Sequence, residues 1–352
     1  MNLKKNWWKY IGIICLIYTV TAGLLVPLKP GILEVSESRL YSGSTVSLDI
    51  IGYNTHFLDG RYSAFIRMEK DKQIKSSIFK AQDNQRASLL FEIPNDMPSG
   101  SKVTDVTLVI NNTKHGYSIY PNLRILKSKN HNDENKAQWT NLMNVSEVGW
   151  KFAFPYRNIL IETIRNTFFH VAIWMAQFVL LTIALIYSIF YLRKAKSIYD
   201  HNAAAFTYIS IVFGVIGVIS GSLWARFTWG TFWTNDVKLN MVAISMMIYL
   251  AYGILRSSID DIDKKAKSSA IYNIFAFCAM IPLIMIIPRL TDSLHPGNGG
   301  NPAFGNDDMD NTLRMVFYPA IIGLALLGGW IAQIVVRVKK VEEKIINEAL
   351  ND

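Results

Sequence analysis

Six long apolar runs divide this chain, and five of them follow one another closely in its second half. They lie at about residues 10–28, 168–192, 203–224, 239–255, 271–288 and 315–336. Each run is close to the ~20 apolar residues that cross the hydrocarbon core of a bilayer as a helix. The pattern therefore predicts a polytopic α-helical membrane protein with six transmembrane helices.

The apolar pattern changes to a period of two between the first and second runs. Val46, Leu48 and Ile50 alternate with polar positions, as is typical of a half-buried strand. Further strands are predicted at 62–68, 74–79, 87–93 and 106–110, and turn-forming residues separate them at 59–60, 94–100 and 114–116. Short strands at this spacing predict an inserted all-β sandwich over about residues 32–126, loosely similar to bacterial immunoglobulin-like modules.

The two patterns together divide the chain into five predicted segments. These are a first transmembrane helix at 1–28, a β-sandwich at 29–128, a linker and interfacial segment at 129–167, a five-helix membrane domain at 168–340 and a cytoplasmic tail at 341–352. We expect the first helix to remain as an uncleaved anchor, because its apolar stretch is longer than the ~7–15 residues of a signal peptide.

Basic residues concentrate on one side of the predicted topology. The ends and loops of one parity carry fourteen lysines and arginines, whereas the two short loops of the other parity carry four. This asymmetry follows the positive-inside rule, so both termini are predicted to be cytoplasmic and the β-sandwich to lie outside. The formal net charge of +9 therefore reflects topology, and we expect a lipid bilayer rather than nucleic acid as the partner.

Composition agrees with membrane spans joined to one soluble domain. The chain is 51% hydrophobic with a mean hydropathy of +0.20, which is high for a soluble protein and low for one that lies entirely in the membrane. Its two cysteines, Cys15 and Cys278, both lie inside apolar runs without a CxxC motif. This placement argues against a disulfide framework, a zinc site or a thiol redox motif.

Three features lie on the predicted outer side of the membrane. The loop at 226–238 joins the third and fourth spans, His295 lies between the fifth and sixth, and His170 is within one turn of the outer end of the second. Five large rings lie within ten residues near this loop, namely Trp224, Phe227, Trp229, Phe232 and Trp233. The ordinary alternatives are an aromatic belt at the membrane surface and histidines that are merely solvated or hydrogen-bonded.

Taken together, the three features suit a haem site. Haem iron accepts one imidazole on each face, and His170 and His295 would supply them. Aromatic rings form a flat apolar platform, Gly230 lets the backbone approach a ligand closely, and Asp236 can hold the loop through hydrogen bonds. The cations available to the two propionates are Arg226, Lys238, Arg289 and Arg314. The remaining histidines are interpreted as surface residues (His56, His115 and His131) or as cytoplasmic (His201).

The same residues resemble those of the tryptophan-rich haem-handling family of cytochrome c maturation, and the six-span CcmC type in particular. The resemblance lies in the order of His170, the segment Gly221-Ser222-Leu223-Trp224, the segment from Trp229 to Leu239, and Leu294-His295. It implies that His170 and His295 are the axial ligands of haem b. It also implies a haem platform made of Trp224, Trp229, Phe232, Trp233 and Asp236, with Lys238 where the family usually has arginine.

The chain departs from the family pattern at three places. Phe232 and Asn235 replace two tryptophans of the usual motif, and the segment 289–293 lacks the tryptophans usual before the second histidine. The β-sandwich after the first span is an insertion relative to the compact family members. The first two departures bear on haem affinity and contacts, and the third suggests that a partner docks there.

The resemblance implies a non-enzymatic protein of the bacterial inner membrane that presents haem b at its periplasmic face. Its partners would be a CcmE-like haem chaperone and the subunits of an ABC-type cytochrome c maturation complex. A haem lyase-like component of the CcsA or CcmF type, which attaches haem to apocytochrome c, is the first alternative. The second alternative is a membrane-anchored extracytoplasmic binding module, in which the spans serve only as an anchor.

Overall fold

The structure, a computed structural model, describes residues 3–68, 72–98, 100–128, 135–142, 152–158, 160–295 and 309–349. The chain divides into two compact units. One is Met1–Leu25 with Thr163–Asp352, and the other is Val26–Glu162. The first unit is helical and the second consists mainly of β-strands.

Six helices of the described residues are long and apolar enough to cross a membrane. They are α1 (Leu3–Leu25), α2 (His170–Lys194), α3 (Ser197–Trp229), α4 (Val237–Ser257), α5 (Ile262–Ile281) and α6 (Asn311–Ala349). The six predicted spans are therefore confirmed as helices. A 3₁₀ helix over Ile161–Phe168 leads into α2, within the segment that the sequence predicts to be interfacial.

The helix boundaries differ from the predicted ones. Helix α1 ends at Leu25 rather than at residue 28, because the residue before Pro27 is disfavoured in the helical conformation. Helix α3 continues past Trp224 to Trp229, α5 begins at Ile262 and so includes the lysines that the sequence places before the fifth span, and α6 runs through Ala349 into the predicted tail. These three helices are longer than predicted because an apolar run marks only the part of a helix inside the bilayer core, whereas backbone hydrogen bonds continue through residues beyond it.

Helix α2 is the centre of the helical unit. It packs against α3, α5 and α6, while α1 packs against α6 and α4 against α5. Its small residues Ala176 and Ala184 are completely buried beside Phe206 and Phe213 of α3 and Val336 of α6. Small side chains at a helix contact let the backbones approach closely, which is the usual way that transmembrane helices pack.

The β unit contains two sheets. Its strands are β1 (Gly31–Val35), β2 (Arg39–Tyr41), β3 (Thr45–Tyr53), β4 (Tyr62–Met68), β5 (Lys72–Lys75), β6 (Ile78–Ala81), β7 (Arg86–Glu92), β8 (Val103–Asn112), β9 (Gly116–Leu126) and β10 (Thr140–Asn141). One sheet has the order β1-β3-β7-β6 and the other β10-β5-β4-β8-β9-β2. Neighbouring strands are antiparallel except β2 and β9.

The predicted alternation of apolar residues builds the core of this unit. Leu48 of β3 lies opposite Leu89 of β7, and Ile66 of β4 lies opposite Leu108 of β8. All four are buried in one apolar cluster that draws on both sheets. The period-two pattern of the sequence therefore identified the inward faces correctly.

The predicted strand at 74–79 is wrong. It is two strands, β5 and β6, which belong to different sheets and meet at Ser76 and Ser77. Only Ser76 and Ser77 separate the two strands, without a glycine or proline, so the sequence carries no turn signal between them and reads as one strand. The predicted linker at 129–167 falls partly on residues 129–134, 143–151 and 159, and His131 with it, all of which lie outside the described residues.

Candidate functional site

Helices α2 and α3 pack closely where α2 begins. His170, Trp174 and Gln177 of α2 lie against three glycines of α3, Gly221, Gly217 and Gly214 respectively. A Cβ atom at Gly221 would come within 2.5 Å of His170 Cε1, and one at Gly217 within 2.6 Å of the Trp174 ring. The glycines therefore provide the space in which the His170 ring sits.

The His170 ring has a fixed orientation. Its Nδ1 lies 3.0 Å from Ser220 Oγ, and that hydroxyl donates to the Gly217 carbonyl oxygen at 3.1 Å. When Ser220 donates its hydroxyl proton to Gly217, it accepts a hydrogen bond from His170 Nδ1–H, and the lone pair of the imidazole is then on Nε2.

Trp224 lies beside His170. The two rings meet edge to face with centroids 5.7 Å apart, and Trp224 Nε1 donates to Thr163 Oγ1 at 3.2 Å. An indole N–H inside an apolar environment needs such an acceptor. Trp224 is therefore anchored at one edge while its ring flanks the histidine.

The aromatic segment, predicted as a loop over residues 226–238, is a loop only at its centre. Helix α3 continues to Trp229, Gly230 takes the left-handed conformation (φ 81°) that ends a helix, and α4 begins at Val237. Gly230 and Asp236, which caps α4, are the residues that mark these ends. The prediction took the end of the apolar run at Trp224 for the end of the helix. It therefore assigned Trp229 to the loop, although this residue belongs to the last turn of α3.

Asp236 connects the start of α4 to the segment that carries His295. Its Oδ1 accepts from the backbone N–H groups of Lys238 (2.9 Å) and Leu239 (3.3 Å). Its Oδ2 accepts from Leu294 N–H at 2.7 Å, and His295 Nδ1 lies 3.1 Å from Oδ1. Burial raises the pKa of Asp236, but the hydrogen bonds from Leu294 and Ser293 outweigh burial and hold this pKa below its usual value.

His295 is held in one orientation as well. A carboxylate only accepts hydrogen bonds, so the contact with Asp236 requires a proton on His295 Nδ1. Trp229 meets the imidazole edge to face, with ring centroids 4.9 Å apart. Burial and the charge of Lys238 lower the pKa of His295, although Asp236 opposes them. With the proton on Nδ1, the neutral form of this imidazole has its lone pair on Nε2.

The two histidines converge on one region. His170 is within the range of electrostatic interaction with both His295 and Lys238, and Lys238 is in turn within range of Asp236 and Arg289. The site thus combines the N-terminus of α2, the C-terminus of α3, the N-terminus of α4 and the segment after α5. Four elements that are distant in sequence supply its side chains.

The remaining candidates of the aromatic segment lie on its exposed side. Phe232 and Trp233 are 57% and 41% exposed. The Arg226 guanidinium lies over the Phe232 ring at 5.9 Å and also donates to the Gly230 carbonyl oxygen. Arg226 therefore stabilises the turn after α3, and the two rings form an exposed apolar surface on this turn.

Sequence reasoning missed Ser220, Gly217 and Thr163. Ser220 is a polar residue inside an apolar run, and Gly217 is spaced four residues from Gly221, so both carried a signal of close helix contact. Their pairing with His170 depends on the register of α3 against α2, which no local pattern contains. Thr163 lies in the 3₁₀ helix, where the mixed polar and apolar sequence gave no specific signal.

Six apolar helices, with a cluster of histidine, tryptophan and charged residues at one end, define a polytopic membrane protein with a built histidine site. Residues 137–351 match the model of the CcmC family, described as heme exporter protein C. This match spans more than half of the chain, so the chain belongs to that family. The expected family resemblance is confirmed.

Individual relatives cover parts of the chain. It is 29% identical over 136 residues to heme exporter protein C of Bradyrhizobium diazoefficiens, which is 38% of this chain and 50% of that relative. The proteins of the same name from Paracoccus denitrificans and Escherichia coli K12 are 23% and 24% identical. These two alignments each cover 52% of this chain, with 76% and 74% of the respective relatives. The chain thus spans half the length of the Bradyrhizobium protein.

Proposed function

We propose that this protein binds haem b between His170 and His295 and presents it for transfer to a CcmE-like haem chaperone during cytochrome c maturation. Haem supplies an iron that takes one nitrogen ligand on each face of a flat apolar ring. The work of the protein is to hold that ring and release it, without turning over a substrate. Its relatives carry the name heme exporter protein C, which agrees with such a role.

One observation carries the proposal: each imidazole has its Nδ1 within hydrogen-bond distance of a side-chain oxygen, an arrangement that leaves Nε2 as the nitrogen for a metal. The oxygen is Ser220 Oγ for His170, at 3.0 Å, and Asp236 Oδ1 for His295, at 3.1 Å. Metal-binding histidines typically donate their other ring N–H to such an acceptor, which orients the ring and makes the ligand more basic.

The residues around the histidines fit the rest of a haem molecule. Trp224 and Trp229 each flank one histidine, while Phe232 and Trp233 are exposed apolar rings in the turn that follows Trp229. Lys238 and Arg289 supply positive charge for the propionates, as does Arg226 at the turn after α3. Asp236 is also expected from the resemblance to belong to the platform. Its oxygens accept hydrogen bonds from backbone N–H groups and lie against His295.

The wider setting follows from topology and family. We place the protein in the bacterial inner membrane with both termini in the cytoplasm, and we place the histidine site and the β unit on the periplasmic side. Subunits of an ABC-type cytochrome c maturation complex are its proposed partners. The β unit, which we interpret as an immunoglobulin-like sandwich, would serve as a further docking surface.

The proposal is tested on the purified full-length protein in detergent. From haem-replete cells it is expected to carry non-covalent haem b with the absorption spectrum of a six-coordinate, low-spin iron. Mixed with a CcmE-like chaperone, the haem should move to the chaperone. A preparation without a Soret band would overturn the proposal, and covalent attachment of haem to apocytochrome c by this chain alone would replace it with the lyase function.

Gly221→Ala is expected to lower haem affinity by about tenfold or more without removing any ligand, because misplacing an oriented metal ligand typically costs this much. The added Cβ would lie 2.5 Å from His170 Cε1, so the ring must move. Haem content and the fraction of low-spin iron measure the effect. Gly329→Ala is the matched control, since that helical glycine has open space around its Cβ position. Wild-type affinity in Gly221→Ala would mean that His170 is not a ligand in this orientation.

A further inference from the structure

The Asp236 side chain is almost completely buried among groups of the protein itself. Its side chain is only 2% exposed, compared with 21% for the neighbouring His295. Both of its oxygens are already used, Oδ1 by α4 and by His295 and Oδ2 by Leu294. A buried carboxylate with both oxygens hydrogen-bonded fixes the positions of the groups that donate to it.

The segment that carries His295 has an irregular connection to the rest of the unit. Helix α5 ends at Ile281 and is followed by a π-helical turn, Pro282–Ile286, and a 3₁₀ turn, Ile287–Arg289. Pro282 cannot donate the backbone hydrogen bond that an α-helix requires, and a helix typically changes its winding at such a residue. The backbone of α5 therefore does not set the position of His295 by continuous helical geometry.

The His295 imidazole is held mainly by Asp236. In the described part of the chain, its imidazole makes one hydrogen bond, to Asp236 Oδ1 at 3.1 Å, and one ring contact, to Trp229. Asp236 also fixes the preceding residue through Leu294 N–H. The same side chain caps α4, so the place of His295 is tied to the start of that helix.

We propose that Asp236 is a positioning residue: its carboxylate holds His295 against the start of α4 with Nε2 facing the site, and it does not contact haem. The part of this positioning role that concerns haem rests on the proposed function. The hydrogen bonds of Asp236 with Leu294 and His295 are present without haem. Loss of the carboxylate should therefore free His295 whether or not haem is bound.

Asp236→Ser separates positioning from helix capping. Serine caps a helix about as well as aspartate, within a few tenths of a kcal/mol, so α4 should keep its start. The shorter hydroxyl has no second oxygen for Leu294 and His295. In the haem-loaded protein we expect loss of the low-spin spectrum and haem dissociation that is about 10–100-fold faster, the usual effect of removing a partner of a metal ligand.

Free imidazole provides a readout that a damaged fold would not show. Added to haem-loaded Asp236→Ser, it should restore the six-coordinate, low-spin spectrum, because it can fill the axial position that His295 has left. Asp261→Ser is the matched control: Asp261 caps α5 by accepting from Lys264 N–H at 2.7 Å. That variant should keep the spectrum and the haem dissociation rate of the wild type.

The haem-free protein provides a test that does not depend on the proposed function. Diethylpyrocarbonate modifies accessible imidazoles, and mass spectrometry reports the rate at each histidine. In Asp236→Ser, His295 should react several times faster than in the wild type, while His170 keeps its rate. An unchanged rate at His295 would overturn the positioning role even if haem binds as proposed. A faster rate in a protein that never binds haem would retain the positioning role and overturn only the proposed function.

Discussion

Replacing both His170 and His295 by alanine is expected to abolish haem binding in the purified protein. In the proposed site each imidazole would supply one nitrogen ligand to the iron. No other histidine of the described chain is part of this cluster, since His201 pairs with Glu343 at the other end of α3 and His56 packs against His115 in the β unit. Haem content per protein, measured from the Soret absorption and by extraction, should fall to background. Each single variant should retain part of the haem as a five-coordinate, high-spin form.

The control for this double variant is the pair His56→Ala and His115→Ala. These rings also lie together, with centroids 5.0 Å apart, but in the β unit. The control should keep the wild-type spectrum. If the variant without His170 and His295 keeps its haem, these residues are not the ligands and the proposed function loses its main support.

The apolar spans were predictable because membrane insertion depends on a property that every residue in a run shares. The ends of the helices were not, because they depend on single groups. Trp229 still belongs to α3 since Gly230 is the first residue in the left-handed conformation, and α4 starts where Asp236 can accept from its N–H groups. Both residues were visible in the sequence, but the aromatic density around them suggested one continuous loop.

In the site, too, some residues could be predicted from local sequence, whereas others depend on long-range packing. Residue type and topology were enough to select His170, His295 and the aromatic segment. The side chains that face Nδ1 of these histidines lie 50 and 59 positions away along the chain, as Ser220 and Asp236. Such pairings depend on helix register and on the path of the segment after α5, which no pattern within one helix encodes.

Asp236 shows how a motif residue can change its interpretation once the structure is known. The family resemblance placed it among the residues of the haem platform, whereas its residue type suggested that it holds the loop through hydrogen bonds. Its burial and its hydrogen bonds connect it to α4 and to the His295 segment, which favours the second interpretation. A residue that holds a ligand and one that touches the cofactor occupy the same place in a motif, so sequence alone does not separate them.

Asp200→Ala is expected to cause the largest loss of stability in the helical unit. Asp200 of α3 and Arg256 of α4 form a two-pronged ion pair at 2.7 and 2.5 Å, with side chains that are 11% and 10% exposed. Removing one partner of a buried pair typically costs about 3–5 kcal/mol, because the other charge stays buried without compensation. Lys339 lies within electrostatic range of Arg256 and adds a second positive charge to the same place.

The apparent midpoint of thermal unfolding in detergent, followed by circular dichroism, measures this effect. We expect a decrease of about 10 °C, from a few degrees per kcal/mol for a unit of this size. The double variant Asp200→Ala and Arg256→Met should regain most of the loss, since apolar replacement of a whole buried pair is often neutral. Glu348→Ala removes the exposed pair of Lys344 and Glu348 and should leave the midpoint unchanged.

These variants also separate stability from ligand binding. Asp200 lies in the first turn of α3, whereas the histidine site is at the other end of that helix, beyond Ser220. The folded fraction of Asp200→Ala should therefore carry as much haem per protein as the wild type, although the yield falls. A midpoint equal to that of the wild type would mean that the pair is solvated and contributes little. A loss of haem from the folded fraction would show instead that the ion pair is coupled along α3 to the histidine site, which the packing of these helices gives no reason to expect.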